Sequence, residues 1–187
     1  MKKALVVDDE PLIRQQVADV LGDYGFDELF EAADGSQAVA LASTHQPLLI
    51  VMDVTMPIMD GITAAATINR NPSGALVLLT GTTDNDTVSR AIEAGVHHYL
   101  MKPFRADQLK ITVDMAIHQF IQLSNLHDEV SALKESLETR KLVDRAKALL
   151  IKNGMTEPQA HRRIQKLAMD KRKSIGQVAE AILLTEG

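Results

Sequence analysis

The chain has 187 residues, enough for one ordinary domain and a second small one. It contains no cysteine, which excludes disulfides, thiolate metal sites and a cysteine nucleophile. No apolar run approaches the ~20 residues that span a bilayer, and the amino terminus lacks the apolar core of a signal peptide. We therefore expect a soluble, cytoplasmic protein that does not insert into membranes.

Charge is distributed unevenly along the chain. Residues 1–123 contain 8 Lys and Arg against 16 Asp and Glu, whereas residues 139–187 contain 11 against 5. An acidic N-terminal region and a basic C-terminal region indicate two domains with different partners.

The first 120 residues alternate short apolar runs with segments whose apolar residues recur at spacings of three and four. This alternation is typical of β/α units that build a parallel sheet. The runs that we predict to be strands are 4–7, 28–32, 48–52, 75–79 and 97–101. Those at 4–7, 48–52 and 75–79 are apolar throughout, as burial on both faces requires. We expect an α/β domain with a five-stranded parallel, doubly wound sheet.

Polar side chains follow four of the predicted strands. They are Asp8 and Asp9 after the first strand, Asp53 after the third, Thr80 after the fourth and Lys102 after the fifth. Because ligands of open parallel sheets bind outside the carboxyl ends of the strands, we expect these groups to share one edge. Any one of them alone would be a common cap or turn residue, but their ordered recurrence at strand ends indicates a site.

Three carboxylates this close raise each other's pKa unless a cation neutralises them. Mg²⁺ suits such a set, since it prefers carboxylates, a carbonyl and a phosphoryl oxygen. The arrangement predicts phosphoryl transfer to an aspartate, with Lys102 and Thr80 binding oxygens of the transferred group. A phosphatase of the haloacid-dehalogenase type is an alternative. It would need a second Asp two residues after Asp8, where this chain has Glu10.

Four motifs give this front region a family resemblance. They are VVDDE (6–10), VMDVTMPIMDG (51–61), LLTGT (78–82) and YLMKPF (99–104). With them, residues 1–121 resemble the flavodoxin-like receiver domain of bacterial two-component response regulators. The resemblance implies that Asp53 is the phosphoacceptor and that a sensor histidine kinase supplies the phosphate. Such a domain turns over no independent substrate, so we do not expect an enzyme.

The same resemblance implies roles for individual site residues. Mg²⁺ would be bound by Asp9, Asp53 and the backbone carbonyl of Thr55, with Asp8 assisting through water. Thr80 and Tyr99 would form the switch pair. The Lys102–Pro103 peptide bond would be cis, and Gly81 and Thr82 would adjust the lifetime of the phosphate.

A long helix is predicted next, because neither Gly nor Pro occurs from Arg105 to Asn153. Its apolar residues step by three and four, with a phase slip near Leu123. They are Leu109, Val113, Ala116, Phe120 and Leu123, then Leu126, Val130, Leu133 and Leu137. We expect 105–121 to pack on the front domain and 123–137, with polar flanks, to form a dimeric coiled coil. The predicted domains are 1–121, a linker helix over 122–138, and 139–187.

The remaining residues predict a three-helix domain. The first helix ends at Asn153-Gly154, and the next two begin at Thr156 and Ser174, each with Gln at capping-box spacing. Residues 161–173 hold six Lys and Arg and one Asp. Such a run is most often a solvated helix face, but in an acidic chain it also favours binding to nucleic-acid phosphates. No aromatic residue follows Phe120, which excludes the base-stacking surfaces of common RNA-binding folds.

Residues 139–184 closely resemble the ANTAR domain, an RNA-binding module of transcription antiterminators. The matching segments are RKLVDRAKALL (140–150), GMTEPQAHRRIQKLAMDKRKSI (154–175) and VAEAIL (178–183). The resemblance implies binding to RNA hairpins in nascent mRNA. The residues that we expect to contact RNA are Arg140, Arg145, Lys147, Lys166, Lys171 and Arg172. The whole chain then predicts a phosphorylation-controlled antiterminator that forms a homodimer when phosphorylated. The alternative is a response regulator that reads DNA with a helix-turn-helix.

Overall fold

The structure, a computed structural model, describes residues 1–81, 85–96 and 98–186. It divides into two compact units, unit 1 over Met1–Leu123 and unit 2 over Ser124–Gly187. Thr82, predicted to adjust the lifetime of the phosphate, and His97, predicted to begin the fifth strand, lie outside the described residues. Within the described residues, none of the helices combines the length and apolar character needed to cross a lipid bilayer. The domain boundaries predicted at residues 121 and 138 remain predictions.

Unit 1 alternates strands and helices in the predicted order. Its strands are β1 (Lys3–Val7), β2 (Glu28–Ala32), β3 (Leu49–Asp53), β4 (Ala75–Thr80) and β5 (His98–Met101). Its helices are α1 (Pro11–Tyr24), α2 (Gly35–His45), α3 (Gly61–Ile68), α4 (Asn85–Glu93) and the first part of α5 (Ala106–Lys152). All strand pairs are parallel, in the order β2-β1-β3-β4-β5. This order confirms the predicted doubly wound, flavodoxin-like sheet.

The central strands are buried on both faces, which explains their unbroken apolar runs. Along β1, Leu5 and Val7 pack in one layer with α2 and α3, whereas Ala4 and Val6 pack in the other with α1 and α5. Successive side chains of a strand point to opposite faces, so a strand between two helical layers must be apolar at every position. Strand β5 lies at the edge, and its side chains are alternately half-buried and exposed.

The strand order also decides where a ligand can bind. Strands β1 and β3 are neighbours, but the helices that follow them lie on opposite faces of the sheet. Such a reversal opens a crevice at the carboxyl ends of the two strands. Because Val7 pairs with Met52, the next residues, Asp8 and Asp53, emerge side by side at this crevice.

A glycine keeps the end of β3 close to the helix that follows. A Cβ on Gly61, the first residue of α3, would lie 2.0 Å from the backbone oxygen of Asp53. No side chain fits at that distance, so Gly61 allows the loop after Asp53 to close tightly on the strand end.

Unit 2 contains the rest of α5 together with α6 (Glu157–Lys171) and α7 (Ile175–Glu186). Its core is formed by eight buried residues, Ala146, Leu150, Ala160, Ile164, Ala168, Val178, Ala179 and Ile182. The predicted capping boxes are present, since Gln159 accepts a hydrogen bond from the Thr156 N–H and Gln177 accepts one from the Ser174 N–H. Helix α5 ends at Lys152, and Gly154 follows in the left-handed conformation typical of a helix end.

The long helix α5 changes character along its length. In unit 1 it buries Leu109, Val113 and Ala116, as predicted. From residue 121 to residue 138 every side chain is exposed. The exposed stretch contains the predicted apolar seam, with Leu126, Val130, Leu133 and Leu137 between 42% and 63% exposed.

Candidate functional site

Three carboxylates meet at the crevice between β1 and β3. Asp8, Asp9 and Asp53 each offer an oxygen, and these oxygens lie within 4.8 Å of one another. Asp8 and Asp53 are buried, whereas Asp9 is exposed. The expectation that the strand ends bring these three residues together agrees with this geometry.

Lys102 supplies the positive charge between the two buried carboxylates. Its ammonium lies 2.6 Å from Oδ2 of Asp8 and 2.7 Å from Oδ1 of Asp53. Burial alone would lower the pKa of Lys102, but the hydrogen bonds to Asp53 and Asp8 outweigh burial and raise it. The side chain is therefore held as an ammonium ion. The Lys102–Pro103 bond that follows is cis, as predicted.

Asp53 is held at both carboxylate oxygens. Its Oδ1 contacts Lys102, and its Oδ2 accepts a hydrogen bond from the Thr55 N–H at 2.9 Å. Burial raises the pKa of Asp53 and the charge of Asp8 adds to this, while Lys102 and the Thr55 N–H act in the opposite direction; the net effect is a raised pKa. The ionised carboxylate is therefore held at a cost in free energy.

The charge balance of this cluster suits a divalent cation. Among the described residues, three carboxylates face one ammonium, so the cluster carries two uncompensated negative charges. The Asp9 side chain makes no hydrogen bond or ion pair with the described residues. An all-oxygen donor set with a free, exposed carboxylate fits the preferences of Mg²⁺.

The predicted switch residues lie on the two strands beyond β3. Thr80 is the last residue of β4 and is buried, and its backbone oxygen accepts a hydrogen bond from the Lys102 N–H at 2.8 Å. Tyr99 lies on β5 and is 53% exposed. Thr55, predicted to offer its carbonyl to the metal, is exposed in the loop after β3.

Another aspartate, Asp60, follows Asp53 in the chain and makes different contacts. Asp60 caps α3 by accepting a hydrogen bond from the Thr63 N–H at 2.7 Å, and it forms an ion pair with Arg90 of α4 at 3.0 Å. The carboxylate of Asp60 therefore binds Thr63 and Arg90 and is not part of the acidic cluster formed by Asp8, Asp9 and Asp53. The pairing with Arg90 could not be predicted from spacing along the chain, because the two residues are 30 positions apart.

The basic surface of unit 2 is concentrated on α6. This helix buries Ala160, Ile164 and Ala168, and its opposite side exposes Arg162 and Lys166. Lys171 and Arg172 at its end are also exposed. Arg162 was not among the predicted RNA contacts, although its spacing of four from Lys166 could have indicated it.

The other residues predicted to contact RNA lie on α5, and they differ in how far their side chains are exposed. Arg140 and Arg145 are exposed. Lys147 is largely covered and forms ion pairs with Asp144 at 2.9 Å and with Glu157, the first residue of α6, at 3.6 Å. Its ammonium links α5 to α6 and is less available to an external phosphate.

Comparison with known proteins identifies both units. Residues 4–114 match the family model of the response regulator receiver domain, and residues 131–183 match that of the ANTAR domain. The chain belongs to the response regulators with an ANTAR domain. Over all 187 residues it is 45% identical to the transcriptional regulatory protein PdtaR of Mycobacterium tuberculosis, and the match covers 91% of that protein.

Other relatives of this response regulator match its receiver domain. The chemotaxis protein CheY of Bacillus subtilis is 35% identical over 117 residues, which are 62% of this chain and 98% of that protein. The solved structure of Vibrio cholerae CheY4 has a TM-score of 0.58 at 32% identity and covers 62% of this chain and 98% of its own. The solved structure of a receiver domain from an HD domain-containing protein of Pseudomonas fluorescens has a TM-score of 0.60 at 29% identity. The match covers 65% of this chain and 98% of that one.

The pKa values of Asp53 and Asp60 are shifted in opposite directions. Replacing each aspartate by asparagine should therefore change the stability of the receiver domain in opposite directions. Because the pKa of Asp53 is raised above its ordinary value of 3.8, its charge destabilises the folded receiver domain at higher pH. Asp53→Asn should therefore raise the urea midpoint at pH 7 without added Mg²⁺, and the gain should shrink as the pH falls through the folded pKa towards 3.8.

Asp60→Asn is the matched control for this prediction. Burial would raise the pKa of Asp60, but the hydrogen bonds from Thr63 and the charge of Arg90 lower it overall. Its stabilising contribution is present above the ordinary pKa and is lost as the pH falls. Asp60→Asn should thus lower the urea midpoint at pH 7, and a shift of the same sign in both variants would contradict the electrostatic assignment.

Proposed function

We propose that this chain is a phosphorylation-controlled regulator that binds hairpin RNA in nascent transcripts and promotes transcription antitermination in the cytoplasm. One observation carries the proposal. A buried aspartate, Asp53, lies beside Lys102 and two further carboxylates on a chain whose other unit matches the ANTAR domain.

Phosphate transfer is proposed to occur from a sensor histidine kinase to Asp53. A carboxylate oxygen of Asp53 attacks the phosphorus of the kinase's phosphohistidine, the P–N bond breaks, and an acyl phosphate forms. Lys102 and Thr80 bind oxygens of the phosphoryl group. Asp9, Asp53 and the Thr55 carbonyl, with Asp8 acting through water, would hold Mg²⁺, which neutralises charge on that group. The domain accepts phosphate and has no independent substrate to turn over.

Labelling with a small-molecule phosphodonor tests the acceptor. Asp53→Asn should abolish incorporation of phosphate, because it removes the nucleophilic oxygen. Asp60→Asn should be labelled to the same extent as the wild-type chain, since Asp60 lies outside the acidic cluster. Stoichiometric labelling of the Asp53 variant would show that the acceptor lies elsewhere.

Binding to RNA is supported by the charge and the exposed surface of unit 2. Its exposed cations include Arg162 and Lys166 on one side of α6 and Lys171 and Arg172 at its end. With no aromatic residue after Phe120, recognition relies on contacts to phosphates and on helix shape rather than base stacking. The ANTAR match favours structured RNA over the alternative of duplex DNA.

Charge reversal on α6 tests this surface in the full chain. Lys166→Glu with Lys171→Glu should reduce the affinity for an RNA hairpin by at least about tenfold at low salt, because phosphate contacts dominate such binding. Lys2→Glu with Arg70→Glu changes the net charge equally at two exposed positions of unit 1 and should bind nearly as well as the wild-type chain. Circular dichroism checks that all variants fold. An equal loss of affinity for the RNA hairpin in both double variants would contradict the proposal, as would tighter binding of the wild-type chain to duplex DNA than to RNA at matched salt.

Phosphorylation is proposed to act by forming a homodimer. The apolar seam Leu126, Val130, Leu133 and Leu137 is exposed along α5, and polar residues flank it. A second copy of this helix would bury the seam as a coiled coil. Two linked RNA-binding domains then bind paired hairpins more tightly than one, through effective concentration. Phosphorylation has to shift the equilibrium by only a few kcal/mol to convert most of the population.

Light scattering with and without an acyl-phosphate mimic measures this switch. We expect a monomer at micromolar concentration before phosphorylation and a dimer afterwards. Leu133→Glu should prevent the dimer, whereas Ser131→Glu, which adds the same charge outside the seam, should leave it intact. An identical mass in both states would remove dimerisation as the switch.

A further inference from the structure

The polar atoms of Asp8 are all hydrogen-bonded. Its carboxylate oxygens contact the Lys102 ammonium at 2.6 Å and the Glu10 N–H at 2.9 Å. Its own N–H donates to the Ala32 carbonyl at 3.2 Å. The remaining atom, the backbone oxygen, accepts a hydrogen bond from Nη1 of Arg14 at 2.7 Å. A guanidinium on α1 thus satisfies the last polar group of a fully buried residue.

Arg14 is itself fixed from a second direction. Its Nε donates to Oε2 of Glu31 on β2 at 2.9 Å, and its side chain is only 17% exposed. A planar guanidinium has several donors in a rigid arrangement, so it can hold a carboxylate and a carbonyl at once. Because Glu31 balances its charge, Arg14 adds little repulsion towards a cation bound at the acidic cluster.

The position of Asp9 depends on the peptide that Arg14 holds. The Asp9 side chain makes no hydrogen bond or ion pair with the described residues, yet one of its oxygens lies within 4.8 Å of those of Asp8 and Asp53. Only the backbone therefore directs it. The peptide bond between Asp8 and Asp9 is planar, so holding the Asp8 oxygen also sets the orientation of the Asp9 nitrogen.

We infer that Arg14 is a positioning residue for the metal site, acting through its hydrogen bond to the Asp8 carbonyl. It holds the Asp8–Asp9 peptide in the orientation that directs the Asp9 carboxylate towards Asp53. The inference rests on the proposed Mg²⁺-dependent phosphorylation of Asp53. It assigns to Arg14 a role that a simple ion pair between α1 and β2 would not have.

A neighbouring ion pair provides the matched control. Lys3 of β1 lies 3.6 Å from Glu28 of β2, and both side chains are about one-third exposed. This pair resembles Arg14–Glu31 in linking a cation to a glutamate of β2, but Lys3 makes no hydrogen bond to Asp8 among the described contacts. Lys3→Gln and Arg14→Gln each remove one positive charge and one ion pair.

Calorimetric titration of the full, unphosphorylated chain with Mg²⁺ tests the inference. Arg14→Gln should weaken Mg²⁺ binding by about tenfold, as is typical when a residue that orients a metal ligand is removed. Lys3→Gln should stay within about twofold of the wild-type chain, since exposed ion pairs contribute little. In labelling with a phosphodonor, Arg14→Gln should need correspondingly more Mg²⁺ but reach the wild-type extent when Mg²⁺ is saturating.

Equal Mg²⁺ affinities in Arg14→Gln and Lys3→Gln would overturn the inference, as would a loss of labelling that saturating Mg²⁺ does not restore. If Arg14→Gln does not fold, Arg14→Lys decides the matter. It keeps the charge but loses the two-sided contact, so it should weaken Mg²⁺ binding by roughly threefold or more, and an unchanged affinity would overturn the inference. A wild-type chain that binds no Mg²⁺ would instead refute the proposed function, and this inference with it.

Discussion

The geometry of the acidic cluster depends on one interaction, the contact of the Lys102 ammonium with the buried carboxylates of Asp8 and Asp53. Two negative charges at neighbouring strand ends could not stay buried without this ammonium, since its loss would leave both carboxylates buried and without a cation. Asp8 and Lys102 directly follow β1 and β5, and Asp53 is the last residue of β3. In the sheet, β4 lies between β3 and β5. The strands must therefore keep their register for the triad to form.

The same three residues also determine the electrostatics of Asp53. Its carboxylate is paired yet still has a raised pKa, because burial, together with the smaller effect of the Asp8 charge, outweighs the opposing effects of Lys102 and the Thr55 N–H. A bound cation or a new group on Asp53 would change the partners of Lys102, and the Lys102 N–H is hydrogen-bonded to the end of β4 at Thr80. Under the proposed function, a local change of charge at β3 is thereby felt at β4 and β5.

Much of this architecture could be predicted from the sequence, because it depends on local patterns. The apolar run 48–52 predicted β3 to within one residue of Leu49–Asp53, and the Gln residues after Thr156 and Ser174 identified both capping boxes. The acidic cluster could be predicted because parallel strands end at one edge. All of these inferences use spacing along the chain, which the sequence contains directly.

Pairings between distant side chains could not be predicted in this way. The sequence did not reveal that Lys147 contacts Glu157, that Arg90 contacts Asp60, or that Arg14 reaches the Asp8 carbonyl. Each depends on how helices pack and on which rotamer a long side chain adopts. The seam on α5 combines both cases. Its apolar pattern could be recognised from spacing along the chain, whereas only the structure shows that these side chains are exposed.

Under the proposed function, phosphate on Asp53 controls the binding of RNA by the other unit. The most direct measurement is the affinity of the full chain for an RNA hairpin before and after treatment with a phosphodonor, at fixed salt and Mg²⁺, with Asp53→Asn treated in parallel. We expect treatment to tighten the binding of RNA by the wild-type chain and to leave that of the variant unchanged. Equal affinity of the treated and untreated wild-type chain would contradict it.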